Sequence, residues 1–224
     1  MKEYGAYTVK RLGSIFPRHD AEWNKAPWKT LEALRLSRYM GEKPLHFPVT
    51  EAKLAYDDAA IYGIFHVRDR FVLAKAREHQ DPVCLDSCVE FFFAPGKGLE
   101  DGYFNLEMNC GGILLFHFRK GNPARKPEID PQDLDRIRIA HNLPSFIDPE
   151  IQDELEWRLE FKIPFDLLAK YCEIEKPRAG IEWRANFYKC ADGCSYPHWL
   201  TWAPVDHPTP KFHLPEYFGV LKFE

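Results

Sequence analysis

Methionine is scarce in this chain, three residues in 224, and no apolar run approaches the length needed to cross a bilayer. Met1-Lys2-Glu3-Tyr4 opens directly into polar sequence, without the apolar stretch of a signal peptide. On the sequence as given this points to the cytoplasm, and to an extracellular site if the N-terminus has been trimmed. An excess of positive charge is also missing. Thirty Lys and Arg against thirty-four Asp and Glu leave a formal charge of -4, which gives no electrostatic support to a nucleic-acid or anionic-membrane partner. Six cysteines are present (Cys84, Cys88, Cys110, Cys172, Cys190, Cys194), but none form a C-x-x-C pair, so a zinc knuckle has no sequence basis. Most read as buried thiols; a Cys190–Cys194 disulfide requires an oxidising compartment. Linkers, repeats and low-complexity tracts are absent as well, so residues 1–224 read as one domain.

Aromatics, by contrast, make up 15% of the chain, and there are eighteen prolines, a composition of strands and structured loops. Strict two-residue alternation dominates. Leu155, Trp157, Leu159, Phe161 and Ile163 share one face of a run whose other face is charged, and a register slip of one residue would bury those charges. Ile181, Trp183, Ala185 and Phe187 repeat the pattern, as do Phe104, Leu106, Met108 and Cys110. Residues 60–67, 89–93 and 113–118 are more continuously apolar, as strands covered on both faces are. Turn chemistry at Asp57-Asp58, Pro95-Gly96-Lys97-Gly98, Gly111-Gly112, Lys120-Gly121-Asn122-Pro123 and Ala191-Asp192-Gly193 separates the runs. Helical signal is thin: residues 29–40 fit helix or strand, and residues 163–168 read as a strand entering one helical turn. The expected fold is all-β, a two-sheet antiparallel β-sandwich of jelly-roll or immunoglobulin-like type with few short helical turns.

Polar residues on strands that otherwise read as covered are the informative ones. Glu90 interrupts Cys88-Val89-Glu90-Phe91-Phe92-Phe93; Asn105 and Glu107 share a face, and so do Arg184, Asn186 and Tyr188. Carboxylates, amides, a guanidinium and a phenol can satisfy sugar hydroxyls, which both donate and accept. The same set also fits a buried Glu–Arg network stitching strands. Residues 197–223 add Trp199 and Trp202 in a proline-punctuated stretch, either flat rings for stacking on a sugar or the closing layer of a β core.

The ordered segments Asp86-Ser87-Cys88-Val89-Glu90, Tyr103-Phe104-Asn105-Leu106-Glu107, Trp157 to Pro164, Trp183 to Lys189, and Trp202 with Tyr217-Phe218-Gly219 resemble family 9 carbohydrate-binding modules from about Asp20 onward. Such modules are β-sandwiches, often attached to xylanases, that hold a glycan end between two tryptophans. The resemblance implies non-catalytic binding of a mono- or oligosaccharide, a glycoside hydrolase as a partner, and support of polysaccharide degradation. It gives Trp202 as one wall of the clamp, Glu90 as the acidic ligand, and Asn105, Glu107, Arg184, Asn186 and Tyr188 as polar contacts. Where the second tryptophan belongs, Asp81-Pro82-Val83-Cys84 stands instead, leaving His79, Tyr103 or Trp199 to replace it. No cofactor is required; calcium at Asp57, Asp58 or Asp69 competes with a turn role for those residues.

Two other classes compete. Glu90 and Glu107 make a glycosidase pair if they stand across a cleft. A related DOMON-type domain would hold haem through His66, His117 or Met108.

Overall fold

A computed structural model describes residues 5–121 and 129–224. Met1–Tyr4 and the Asn122–Pro123 half of one expected turn lie outside the described residues.

Fifteen strands follow in chain order among these residues. They are β1 (Ala6–Arg11), β2 (Leu34–Arg35), β3 (Arg38–Tyr39), β4 (Val49–Tyr56), β5 (Ala60–Asp69), β6 (Val72–Ala74), β7 (Cys88–Ala94) and β8 (Tyr103–Asn109). After them come β9 (Leu114–Arg119), β10 (Arg138–His141), β11 (Ile147–Ile151), β12 (Leu155–Pro164), β13 (Glu182–Cys190), β14 (Trp199–Thr201) and β15 (Gly219–Phe223). The described helices are one-turn pieces, α1 (Pro131–Leu134) and α2 (Phe165–Leu168). The latter is the helical turn expected after residue 163, whereas residues 29–40 form a 3-10 turn and two short strands. No helix among the described residues is long and apolar enough to cross a membrane.

The mostly-β class stands, but the expectation of two separate antiparallel sheets is corrected. Thirteen strands join in one mixed sheet, with the main order β10-β12-β5-β4-β1-β15-β13-β7-β8-β9; β11 and β6 pair apart from it. The physical reason is β1. Its first part, from Ala6 to Val9, runs parallel to β15, and its last two residues run parallel to β4, so hydrogen bonding passes through it from one half to the other.

The sheet curls until its two halves face each other across one apolar layer. Phe91 of β7 stacks on Phe161 of β12 with ring centroids 5.7 Å apart, and Phe65 of β5 meets Phe187 of β13 at 6.1 Å. Trp157, Leu159, Phe161 and Ile163 are fully buried in this layer and Leu155 packs at its edge, as the alternation requires. Gly63, paired with Phe161, leaves room for that ring to lie against the backbone of β5; a Cβ there would stand 2.2 Å from it. The outer, charged face of β12 is itself covered at Glu160, whose Oε2 accepts from the Ala21 amide. Residues 19–31 fold over it, so alternation sets the direction of Glu160 but not its exposure.

Candidate functional site

The site lies on the outer face of the half containing β7, β8 and β13. Val89, Phe91 and Phe93 alternate into the core, which turns Cys88, Glu90 and Phe92 outward. On β8 the same alternation sends Phe104, Leu106 and Met108 inward and Asn105 and Glu107 outward. Pairing sets Glu90 directly opposite Glu107 on one side and Tyr188 on the other. Strand β14 places Trp199 beside Cys190, and the Trp199 indole donates to Asp192 Oδ1 at 2.8 Å.

Residues 203–218 then strap across this face. Phe212 stacks on Tyr188 at 4.1 Å with an interplanar angle of 11°, and the Tyr188 hydroxyl donates to the Phe212 carbonyl at 3.1 Å. His213 lies 3.0 Å from the Tyr103 hydroxyl through Nδ1. Proline on both sides, at Pro210 and Pro215, limits the backbone freedom of the strap. Between strap and strands remains a cavity of about 180 Å³ bordered by Glu90, Phe92, Glu107, Asp192, Trp199, Phe212 and His213, with Cys84, Cys190, Pro210 and Lys211 completing the wall. Typical drug-sized ligand sites run to roughly 300–1,000 Å³, so this one suits a single small ring.

Its floor is acidic and buried. Glu90 is 2% exposed; Oε1 accepts from the Cys190 thiol at 3.2 Å, while Oε2 has no hydrogen-bond partner. Burial, and then the facing Glu107, push the Glu90 carboxyl well above its ordinary range. Glu107 is oriented by Asn105, whose amide donates to Oε1 at 2.9 Å, and Asn105 accepts in turn from Arg119 Nε at 2.9 Å. Burial raises Asp192 too, against the indole donor that favours its charge. The neighbouring thiols remain protonated at neutral pH: burial lifts Cys84 to about 12 and Cys88 to about 11.

Glu90, Glu107 and Trp199 are therefore together, with Asn105 and Tyr188 directly behind them. Trp202, Arg184 and Asn186 are corrections. Trp202 is only 7% exposed: its ring meets Phe187 edge-on at 5.6 Å, and a Cβ on Gly219 or Gly5 would lie 2.6 or 3.1 Å from it. Covered in this way it has no open face for stacking, and it belongs to the core. Arg184 donates to the Phe218 and Gly219 carbonyls. Asn186 accepts from the Ala203 and Phe187 amides and donates to the Ala203 carbonyl. Both share the outer face with Glu90, but the strap occupies their polar groups. Of the three proposed substitutes for the second wall, Trp199 borders the cavity; Tyr103 stands behind His213, and His79 accepts from the Leu114 amide.

The expected metal and haem ligands do not gather. Asp57 caps the β4–β5 turn through the Ala59 and Ala60 amides and Asp58 pairs with Arg11, whereas Asp69 sits at the far end of β5. Met108 points into the core, while His66 and His117 lie on the outer faces of opposite halves. Cys190 and Cys194 are free thiols with separate partners, Glu90 and Ser87. One His/Cys/Asp/Glu group has metal-ligand proximity among the described residues: Cys88, Glu90 and Cys190, with ligand atoms within 4.8 Å of one another.

Phe212, His213 and Asp192 were not foreseen as site residues. Asp192 carried only a turn signal, and nothing local shows that a loop more than a hundred residues beyond Glu90 folds back over it.

A curled β fold with a small acidic, aromatic-walled cavity on one outer face is the architecture of a compact ligand-binding module. The chain belongs to carbohydrate-binding family 9, whose model matches residues 19–223. Among solved structures it is similar to a candidate carbohydrate-binding protein of Bacteroides uniformis, at 28% identity over 99% of this chain and 100% of that one, with a TM-score of 0.87. It also shares its fold with a family 9 module of Caldicellulosiruptor kristjanssonii. The glucose complex of that module matches at 15% identity and TM-score 0.64 over 98% of this chain and 96% of that one. The cellotriose complex gives the same identity and TM-score over 98% and 94%. No protein with a curated description matches this chain in sequence.

Proposed function

We propose that this protein binds one terminal sugar ring, without chemical change, in the cavity bordered by Trp199 and Phe212. The observation that carries the reading is the pairing of Glu90 and Glu107 on the floor beside a partly exposed indole. Hydroxyl groups donate to the carboxylates, and the apolar C–H face of a pyranose lies on the ring of Trp199. Family membership and the glucose and cellotriose complexes of the C. kristjanssonii module support a sugar as the ligand. The stacking role that resemblance assigned to Trp202 passes to Trp199.

A hydrolytic role is not favoured by the geometry. A glycosidase pair flanks the scissile bond from opposite sides, with carboxyls about 5–10 Å apart. Glu90 and Glu107 are cross-strand neighbours on one floor, so both meet the same side of a bound ring. A binding module of this kind supports polysaccharide breakdown by holding a glycoside hydrolase near its substrate.

Titration calorimetry of the protein with glucose and cellotriose tests the reading. Binding is expected, with Trp199→Ala weakening it by about 1–3 kcal/mol while the fold persists. A folded parent protein that binds no mono- or oligosaccharide would overturn it.

A further inference from the structure

Glu90 Oε2 is buried at the cavity floor and has no hydrogen-bond partner, an arrangement that costs free energy unless something fills it. Its nearest acidic neighbour is the Glu107 carboxyl on the adjacent strand, and Asp192 stands at the wall. The groups that act on Glu90 are Glu107, Asp192 and the Cys190 thiol; Cys84 and His213 border the same cavity, and Lys211 is exposed at its rim. An unpartnered buried carboxyl oxygen facing a second carboxyl calls for a donor that brings charge with it.

We propose that the cavity prefers a sugar carrying a protonated amine, a 2-amino-2-deoxyhexose or the end of a chain of them, with its ammonium between Glu90 and Glu107. The proposal rests on the carbohydrate reading above and narrows it. A neutral hydroxyl donates one hydrogen bond and brings no charge that would let Glu90 ionise beside Glu107. An ammonium donates three hydrogen bonds, has no acceptor atom that would itself need a donor, and offsets the repulsion that ionising both carboxyls creates. Hydrogen bonds between ionised partners are roughly twice as strong as neutral ones, most of all where water is excluded.

The chemistry has a proton consequence. Burial and Glu107 hold Glu90 protonated above the usual carboxylate range, so docking an ammonium ionises it. The released proton passes to the buffer, and the sugar keeps its own.

Calorimetry of the full chain at mildly acidic pH, where the amine is protonated, with glucosamine, N-acetylglucosamine and glucose decides the matter. Glucosamine is expected to bind at least about tenfold tighter than the other two. Its binding heat should vary with the ionisation enthalpy of the buffer, and that of glucose should not. Glu90→Gln, and independently Glu107→Gln, should collapse the ratio of the glucosamine to glucose affinities toward one. Equal or tighter binding of glucose, or a glucosamine heat indifferent to buffer, overturns the amine preference and leaves the sugar reading intact. Methylammonium binding as tightly as glucosamine overturns the sugar part of this proposal. Failure of all three sugars and of cellotriose brings down the carbohydrate reading itself.

Discussion

Lys189 Nζ lies 3.4 Å from Asp69 Oδ2 in the interior, linking β13 of one half of the curled sheet to β5 of the other. Both residues are buried. Asp69 also accepts from the Trp157 indole at 3.1 Å and lies 2.7 Å from His46 Nε2, and Lys189 meets His198 Nε2 at 2.8 Å. Burial opposes the Asp69 charge, but Lys189, His46 and Trp157 together outweigh it and hold the carboxyl below the ordinary range. His198, buried beside Lys189, is pushed down to about 3 and stays neutral.

Removing one partner strands the other. Lys189→Met is expected to cost about 3–5 kcal/mol in urea unfolding, whereas adding Asp69→Asn in the same chain should recover much of the loss. A double variant no more stable than Lys189→Met would show that the charges do not depend on each other.

The same pair shapes the acid limb of stability. A depressed carboxyl contributes stability that is present above its unfolded pKa, about 3.9, and is lost as pH falls toward the folded value. Asp69→Asn should therefore flatten the fall in unfolding free energy below about pH 4. An unchanged acid limb would contradict this assignment.

Glu90 works in the opposite direction. A carboxyl raised in the folded state keeps its proton there while the unfolded chain releases it, so its contribution falls as pH rises above about 4.3. Glu90→Gln is expected to stabilise the free protein at pH 7 by about 1 kcal/mol, the scale of a single favourable substitution, with the gain vanishing at pH 4. Melting curves across that range read the difference directly.

Trp202→Ala is expected to cost about 3–5 kcal/mol of stability, the range for deleting a buried aromatic ring. Trp199→Ala should cost little stability and much affinity. Reversal of the two profiles in thermal unfolding and calorimetry would return the stacking role to Trp202.

Asn186 closes two hydrogen bonds between β13 and the start of the strap, both to Ala203. Asn186→Ala should speed amide exchange across residues 203–218 before the core strands exchange, because the lost anchor is local to the strap. Uniform acceleration over the whole chain would mean that the bonds support the fold as a unit.

How far the site was legible depends on the range of the forces involved. Glu90 stood out because it breaks a covered strand and Glu107 because it shares a polar face with Asn105, and β pairing then brought them face to face. Arg184 and Asn186 carried the same signal for another reason, since they anchor backbone of the strap. Nothing within β13 distinguishes a polar group that meets a ligand from one that meets a loop. Trp202 and Trp199 likewise look equivalent in a proline-punctuated stretch, and the small residues that cover Trp202, Gly5 and Gly219, are far from it in sequence or carry no side-chain signal.

By itself the sequence determined the strands near residues 104–110, 155–163 and 181–187 and the face each turns inward, because side chains alternate along an extended backbone whatever the partner. Residues 155–163 and 181–187 needed nothing further to place their apolar sides in a core. Tertiary structure alone decided that β1 joins the halves into one curled sheet and that residues 203–218 cross the outer face of β7, β8 and β13. It also decided that Trp199 rather than Trp202 borders the cavity. Those outcomes rest on contacts between segments distant in the chain, whose formation depends on the entropy of closing long loops and on space left by neighbours, and local pattern encodes neither.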